Sequence, residues 1–259
     1  MTADRPPQEL PADPWLKFRA LTAARIGLER AGVSLATAPL LDFRLAHARA
    51  RDAVHETLDA PRLKRDVEAL GLRASIVRSA ADNRETYLMR PDLGRRLADG
   101  EAAALKAESG DHDLVLVVAD GLSARAVQVH AVPVLRLVLP ALRADHWRVA
   151  PLVVAVGGRV AIGDAVAGMH GTGAVAVLIG ERPGLSSPDS MGAYLTWNPS
   201  AVTTDADRNC ISNIRPAGVG YAEAAHKMLY LLRSMRALGY SGVGLKDESD
   251  RPAAIGASV

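Results

Sequence analysis

The sequence predicts an α/β fold: an open, mainly parallel, Rossmann-like sheet with helices on both faces, preceded by a mainly helical N-terminal region. Three observations indicate it. Short Val-rich apolar runs bounded by turn residues recur in the second half, helical stretches lie between several of them, and helix-type apolar spacing dominates the first hundred residues. Strands that alternate with helices are typical of parallel sheets, in which helical crossovers cover both faces.

The N-terminal region, residues 13–109, follows an arm. Residues 1–12 are polar and hold three of the chain's prolines, so we expect a flexible arm. Asp13 and Pro14 form an N-cap and a proline at the first helical position, which predicts a helix that ends at Gly32. Similar patterns predict a helix over 37–58, a shorter one from Pro61, and one from Asp92 to about residue 108.

Residues 110–240 form the predicted α/β domain. Its apolar runs predict buried parallel strands at 114–119, 152–157, 174–180 and 193–197. The crossover over 123–143 contains Pro133 and Pro140, which predict two helical pieces rather than one. A well-marked helix is expected over 221–238, ending before Gly239, and residues 241–259 are expected to form a loose tail.

Composition limits the class of protein. Net charge is +2, and neither half carries the basic excess typical of nucleic-acid binding. A single cysteine excludes an intrachain disulfide and a cysteine-based metal cluster, which suits a reducing cytoplasm. No apolar run reaches the roughly 18 residues of a membrane span, and the N-terminus lacks a signal-peptide core. We therefore expect neither export nor a membrane span.

Common catalytic and nucleotide-binding motifs are absent. The G-x-G-x-x-A string at 171–176 precedes its strand, whereas a dinucleotide fingerprint follows one. The sequence contains no phosphate-binding loop, no G-x-S-x-G and no H-E-x-x-H. The residues therefore indicate no common enzyme class.

Three loops are expected at the carboxyl ends of the strands, where open α/β sheets bind ligands: 120–123, 157–164 and 180–190. Each has a structural alternative. Residues 120–123 could be only a strand end and helix cap, and Glu181 could form only a local salt bridge with Arg182. Cys210 lies in a polar, irregular-looking stretch over 205–214, and a lone cysteine is more often a small buried apolar residue than a nucleophile.

Five strings together resemble the small subunit of ethanolamine ammonia-lyase in order and spacing. They are RPDLGRRL (90–97), VVADGLSARAV (117–127), GRVAIGD (158–164), LIGERPGLSSPDSMGAYLTW (178–197) and TTDADRNCISNI (203–214). The resemblance covers about residues 80–240, and GERPGL and DADRNCISNI are its most specific parts.

The resemblance implies a role shared with a partner. It implies that a large subunit supplies the substrate site, that the complex converts ethanolamine to acetaldehyde and ammonia, and that adenosylcobalamin lies between the subunits. The complex is expected to be a hetero-oligomer, specifically a heterododecamer, in the cytoplasm, with enclosure in a bacterial microcompartment left open. By motif, the resemblance assigns cofactor contacts to Val160, Glu181 and Cys210 and no catalytic or metal-binding residue to this chain.

The cofactor is expected in its base-on form, because no D-x-H-x-x-G string offers a histidine to replace its own base. Two other classes stay open at this stage. One is a free-standing α/β binding protein or enzyme that uses the same strand-end crevice. The other is an interaction protein that touches no ligand.

Overall fold

The computed structural model describes residues 13–250, so the predicted arm at 1–12 lies outside the described residues. The chain divides into two compact units after Ala48. The first unit includes helix α1 (Leu16–Arg19), the short strands β1 (Arg30–Ala31) and β2 (Ser34–Leu35), and the start of α2 (Thr37–His55). The second unit, from Arg49, contains the sheet.

A six-stranded sheet forms the centre of the second unit. Its strands are β3 (Ala74–Arg78), β4 (Leu114–Ala119), β5 (Leu152–Val156), β6 (Ala174–Gly180), β7 (Met191–Trp197) and β8 (Arg208–Ile214), in the spatial order β3-β5-β4-β6-β7-β8. Strands β3, β5, β4 and β6 are parallel. The predicted α/β class and mainly parallel sheet are confirmed. Edge strand β3, however, lies in the region predicted to be mainly helical, where no strand was expected.

The last two strands differ from the sequence prediction in direction and in kind. β7 was predicted to be parallel, but it pairs antiparallel with β6 because a loop of only ten residues joins them, too short for a helical crossover. β8 was described as irregular, yet it pairs antiparallel with β7. The alternation of buried and exposed residues in β8 was not recognised in the sequence, because an edge strand with one solvent-exposed face carries many polar residues.

Helices cover both faces of the sheet. On one face lie α3 (Ala60–Glu68), α6 (Ala124–Ala144) and α8 (Tyr221–Leu238), which bury a large apolar core. On the other lie α5 (Glu101–Ala107) and α7 (Ile162–His170), which pack on a smaller core built around β4, β5 and β6. The predicted helix from Pro61 and the helix that ends before Gly239 are confirmed.

Helix α6 is continuous, so the prediction of two pieces was wrong. Both prolines lie on its solvent side, where the two carbonyl groups that lose a helical partner belong to the exposed residues Val129 and Arg136. Water can solvate those groups while the buried face holds the helix together. Among residues 13–250, α6 is also the one helix long and apolar enough to span a membrane, but half of its most apolar stretch is buried in the protein core.

Two further helix predictions were wrong. The helix expected to reach Gly32 ends at Arg19, because α1 buries no side chain and a short helix without packing is only marginally stable. The helix expected from Asp92 is replaced by a 3₁₀ turn (Leu93–Arg95) and the shorter helix α5, and the separate helix α4 (Arg84–Met89) precedes them. Asp92 does not cap, because its carboxylate accepts hydrogen bonds from Arg90 at 2.9 and 2.8 Å.

The described part of the predicted tail, 241–250, contacts the edge strand. The Asn209 side chain donates to the carbonyl oxygens of Gly242 and Leu245 at 3.2 and 2.8 Å, and Leu245 is buried. Residues 251–259 lie outside the described part of the chain.

Candidate functional site

The three predicted loops meet at the carboxyl ends of β4, β5 and β6. Asp120 Oδ1 accepts the backbone N–H groups of Gly157 and Gly158 at 2.8 and 3.2 Å, which joins the first two loops. The backbone N–H of Leu122 donates to the carbonyl of Gly180 at 2.9 Å. A Cβ atom on Gly180 would lie 2.0 Å from the carbonyl oxygen of Ser123, so this junction requires glycine.

The loop at 120–123 has the structural role named as its alternative. Ser123 Oγ accepts the backbone N–H of Ala126 at 3.3 Å and so caps α6. The same hydroxyl donates to the carbonyl of Pro188 at 3.2 Å. This contact holds loop 181–190 against the start of α6.

The carboxylate of Glu181 is held by the two antiparallel strands. Its oxygens accept the hydroxyl groups of Ser190 and Ser212, and Oε2 also accepts the backbone N–H of Asn213 at 3.1 Å. In the described part of the chain Glu181 forms no ion pair with Arg182, whose side chain is exposed, so the salt-bridge alternative was wrong. A carboxylate has about four lone-pair sites, so one acceptor site is left over.

A break in strand pairing makes this arrangement possible. The β7–β8 register shifts between Met191 and Ala193, and Asn213 adopts a left-handed conformation with φ of 60°. The irregular pairing turns the backbone N–H of Asn213 towards Glu181, where it donates a hydrogen bond to Oε2. Gly192 lies beneath the carboxylate, because a Cβ there would be 3.0 Å from Glu181 Oε1. Bulges often redirect groups beside functional sites.

Cys210 lies directly across from Tyr194 in the β7–β8 pair. Tyr194 and Glu181 are both close enough to Cys210 to influence the pKa of its thiol. The thiol is exposed, so the structural alternative of a small buried apolar residue was wrong. Partial desolvation, with the negative charge of Glu181 adding to it, raises the pKa of Cys210, while burial raises the pKa of Tyr194. Both groups are therefore neutral near pH 7.

Val160 lies on the same face of the sheet, in the loop that leads from β5 into α7. It is half-buried and packs against the same apolar core as Tyr194. The first turn of α7 is anchored to β8, because Asp164 forms two hydrogen bonds of 2.7 Å with Arg208. In the described residues no hydrogen bond joins Val160 to Glu181 or Cys210.

These residues define an open patch on the α7 side of β7 and β8. We call it the Glu181–Cys210 patch, formed by Glu181, Gly192, Tyr194, Cys210 and Ser212. It offers a carboxylate and hydroxyl groups beside a half-buried aromatic ring and a neutral thiol. Residues 13–250 contain no group of three or more His, Cys, Asp or Glu side chains that could hold a metal ion. The carboxylate, the hydroxyl groups and the aromatic ring of the patch suit it to hydrogen-bond and cover a polar organic group.

Sequence reasoning missed Tyr194, Gly192 and Ser212. The available indication was the two-residue period of a strand, which places Gly192 and Tyr194 on one face of β7. That period could be used only after 193–197 was recognised as one of a pair of antiparallel strands. Ser212 stands two residues after Cys210 on β8 and follows by the same rule.

The fold and this patch define the class of protein. It is an open α/β protein with polar side chains suited to binding a ligand on the exposed face of its two antiparallel strands, β7 and β8. Comparison with known proteins identifies the family. The family model "Ethanolamine ammonia-lyase light chain (EutC)" matches residues 12–246. The chain therefore belongs to the ethanolamine ammonia-lyase light-chain family, as the motif resemblance indicated.

Individual relatives agree over nearly the whole length. An ethanolamine ammonia-lyase small subunit from Xanthomonas campestris pv. campestris is 53% identical over 250 residues, which is 95% of this chain and 92% of the relative. One from Azotobacter vinelandii is 51% identical, covering 92% and 90%. One from Pseudomonas fluorescens is 50% identical, covering 95% and 91%.

Proposed function

We propose that this chain is the small subunit of an adenosylcobalamin-dependent ethanolamine ammonia-lyase and helps to bind the cofactor where it meets a catalytic large subunit. The complex converts ethanolamine to acetaldehyde and ammonia. The observation that carries the proposal is the Glu181–Cys210 patch, because Glu181, Cys210 and Ser212 come from the two strings most specific to the family. An exposed patch with a spare carboxylate acceptor suits a ligand rather than a core.

The chemistry of the patch fits the proposed cofactor. The corrin ring carries amide side chains, whose N–H groups need acceptors and whose carbonyl groups need donors. Glu181 offers an acceptor, the Ser212 hydroxyl can also accept because its proton is donated to Glu181, and the Tyr194 hydroxyl can donate or accept. Val160 and Cys210 supply contacts beside them. When bound, adenosylcobalamin supplies the radical chemistry of the reaction, and this chain's residues hold and orient it.

A partner subunit is supported by the family name and by the first unit. Among its residues with a described burial, only Ala46 is buried. Large apolar side chains are exposed instead: Trp15, Leu16, Phe18, Leu21, Val33, Leu35, Leu41, Phe43 and Leu45. Exposed apolar groups in this number are typical of a segment that is covered in an assembly. We propose that the large subunit covers it in a hetero-oligomer.

Reconstitution tests the proposed activity. The isolated chain with adenosylcobalamin and ethanolamine should release no ammonia, and the mixture with the large subunit should release it. Turnover by the rigorously purified chain alone would support a free-standing enzyme instead. Equal cofactor affinity of the large subunit alone and of the complex would support a pure interaction protein.

A labelling experiment tests the proposed contact. Because Cys210 is the single cysteine of the chain and is exposed, its modification by a maleimide can be followed by mass spectrometry of its peptide. Adenosylcobalamin should slow its modification in the complex by at least about tenfold, since a bound ligand shields the thiol. The isolated chain is the control, in which the added cofactor should have no effect. Equal rates with and without cofactor in the complex would contradict the contact.

A further inference from the structure

His130 contacts the loop that carries Glu181, from the side of the sheet opposite the Glu181–Cys210 patch. It lies in the second turn of α6 and is buried. Nδ1 lies 2.8 Å from the Tyr221 hydroxyl oxygen at the start of α8, and Nε2 lies 3.6 Å from Oδ2 of Asp189 in the loop. The ring therefore lies between α8 and loop 181–190.

The two partners of the ring decide where its proton lies. Burial lowers the pKa of His130, the charge of Arg215 lowers it further, and Asp189 opposes both. The ring is therefore neutral at neutral pH and above, and only one of its nitrogens carries a proton. The carboxylate of Asp189 can only accept a hydrogen bond, whereas the Tyr221 hydroxyl can donate one to Nδ1. The proton position that suits both partners is therefore Nε2, beside Asp189.

The contact with His130 holds the Asp189 side chain on its inner side. At 3.6 Å the contact is slightly longer than a hydrogen bond, and no described residue forms a hydrogen bond with Nε2. An N–H group beside a carboxylate is still attractive, and more so where the ring is buried away from water. The outer side of Asp189 faces a cavity of about 390 Å³, so close packing does not hold the residue there. Asp189 therefore depends on His130 for its position.

Asp189 adjoins the residue that holds Glu181. Ser190 donates its hydroxyl to Glu181 Oε2, and its carbonyl accepts the backbone N–H of Glu181 at 2.9 Å. The carbonyl of the residue before Asp189 accepts the Ser123 hydroxyl at 3.2 Å. Three successive loop residues thus contact the N-cap of α6, the imidazole ring and the Glu181 carboxylate. A shift of Asp189 moves Ser190, and with it one of the hydrogen bonds that orient Glu181.

We propose that His130 is a positioning residue for Glu181. It holds Asp189 and, through the adjoining Ser190, keeps the Glu181 carboxylate near Cys210 on the exposed face of β7 and β8. The importance of this orientation for the cofactor rests on the proposed function, whereas the orientation itself can be tested on the isolated chain. Loss of the contact between His130 and Asp189 should displace the carboxylate without removing it.

The pH midpoint of Cys210 modification by a maleimide reports the position of Glu181, because that carboxylate contributes to the raised pKa of the thiol and Asp189 does not. Asp189→Ala should lower the midpoint by at least about half as much as Glu181→Gln, since a displaced carboxylate disfavours the thiolate less. Asp189→Asn should lower it less than Asp189→Ala, because its amide oxygen can still accept from Nε2. Asp82→Ala is the control, because Asp82 is an exposed carboxylate just before α4, and it should leave the midpoint unchanged.

His130→Phe tests the other side of the contact. It keeps an aromatic ring in the core but removes both nitrogens, and it should lower the midpoint as Asp189→Ala does. The double variant should lower it no further than either single variant, because both remove the same contact. Additive shifts would show that the two residues act separately and would overturn the proposal. Asp189→Ala is the decisive variant if His130→Phe does not fold, because the Asp189 side chain is 32% exposed and lies in a loop.

An unchanged midpoint in a folded Asp189→Ala chain would overturn the proposal. The assembled complex separates that result from a failure of the proposed function. There Asp189→Ala should weaken adenosylcobalamin binding at least about threefold, less than the loss of Glu181 itself, and Asp82→Ala should not weaken it. A lowered midpoint with unchanged affinity would support His130 as a positioning residue and would contradict instead the contact between Glu181 and the cofactor.

Discussion

Arg208 and Asp164 form a doubly hydrogen-bonded ion pair that fastens the edge strand β8 to the first turn of α7. Both distances are 2.7 Å, and the two side chains are only 2% and 10% exposed. Arg208 also donates to Thr196 Oγ1 at 3.1 Å. The pair fixes Cys210, two residues along β8, relative to Val160, which precedes α7. The Arg208–Asp164 pair is thus the support beneath the proposed contact residues.

Removing one partner of this pair should strongly destabilise the second unit. Arg208→Met leaves the Asp164 carboxylate buried without a counter-charge, which should lower the free energy of unfolding by about 3 to 5 kcal/mol. Urea denaturation followed by circular dichroism measures the change. The double variant Arg208→Met with Asp164→Leu should regain most of the loss, since no buried charge is left. A loss below about 1 kcal/mol in the single variant would contradict a structural pair.

The reactivity of Cys210 should depend on pH in a way that reports Glu181. Desolvation and the nearby carboxylate raise the pKa of the thiol, so its thiolate should form only above the usual thiol range of about 8.5. The rate of maleimide modification of the isolated chain, measured from pH 7 to 10, gives the midpoint.

Glu181→Gln should move this midpoint to lower pH, because it removes a negative charge that disfavours the thiolate. Arg182→Gln is the control: Arg182 is exposed, is the neighbour of Glu181, and does not contribute to the raised pKa of the thiol. A midpoint that does not move in Glu181→Gln would show that the carboxylate does not act on Cys210.

Stability should fall below neutral pH because of a buried histidine. His170, in the last turn of α7, is fully buried, and neither ring nitrogen has a partner. Burial lowers its pKa below the ordinary 6.5, so as pH falls through 6.5 the unfolded chain binds a proton that the folded chain does not. The contribution of neutral His170 to the free energy of unfolding is therefore fully present above pH 6.5. It is lost as pH falls from 6.5 to the pKa that His170 has in the folded chain.

His170→Leu should reduce this pH dependence. It should be neutral or stabilising at pH 7, because an unpaired buried polar ring is replaced by an apolar side chain. Urea unfolding at pH 7, 6 and 5 should show a smaller decrease in the variant than in the wild type. Some decrease should persist, because burial also lowers the pKa of His130. Equal decreases in both proteins would contradict the assignment to His170.

The central strands were predicted well because nearly all of their residues are apolar. β4, β5 and β6 are buried on both faces, so each is a short, continuous apolar run bounded by turn residues, a pattern typical of parallel strands. β3 and β8 are edge strands with mixed burial, and their polar positions resemble loops. The direction of β7 was indicated by the ten-residue loop that joins it to β6, but the parallel prediction did not use that spacing.

The candidate site was predictable by motif but not by geometry. The strings containing Val160, Glu181 and Cys210 carry the family resemblance, and strand order brought the loops of the first two residues to one edge. The contacts of Glu181 could not be foreseen. They depend on the shifted β7–β8 register and on the left-handed Asn213, which arise from the pairing of two strands rather than from either alone.

The affinity of the assembled complex for adenosylcobalamin, with variants at Glu181, tests the central claim most directly. Glu181→Ala should weaken binding ten- to a hundredfold, because a cofactor N–H would lose its acceptor at a cost of about 1 to 3 kcal/mol. Glu181→Gln should cost less, since its carbonyl still accepts, and Arg182→Ala should cost nothing. Melting curves of each cofactor-free complex separate binding from stability. Unchanged affinity in Glu181→Ala, together with a lowered melting temperature, would show that Glu181 only ties β7 to β8 and would contradict the account.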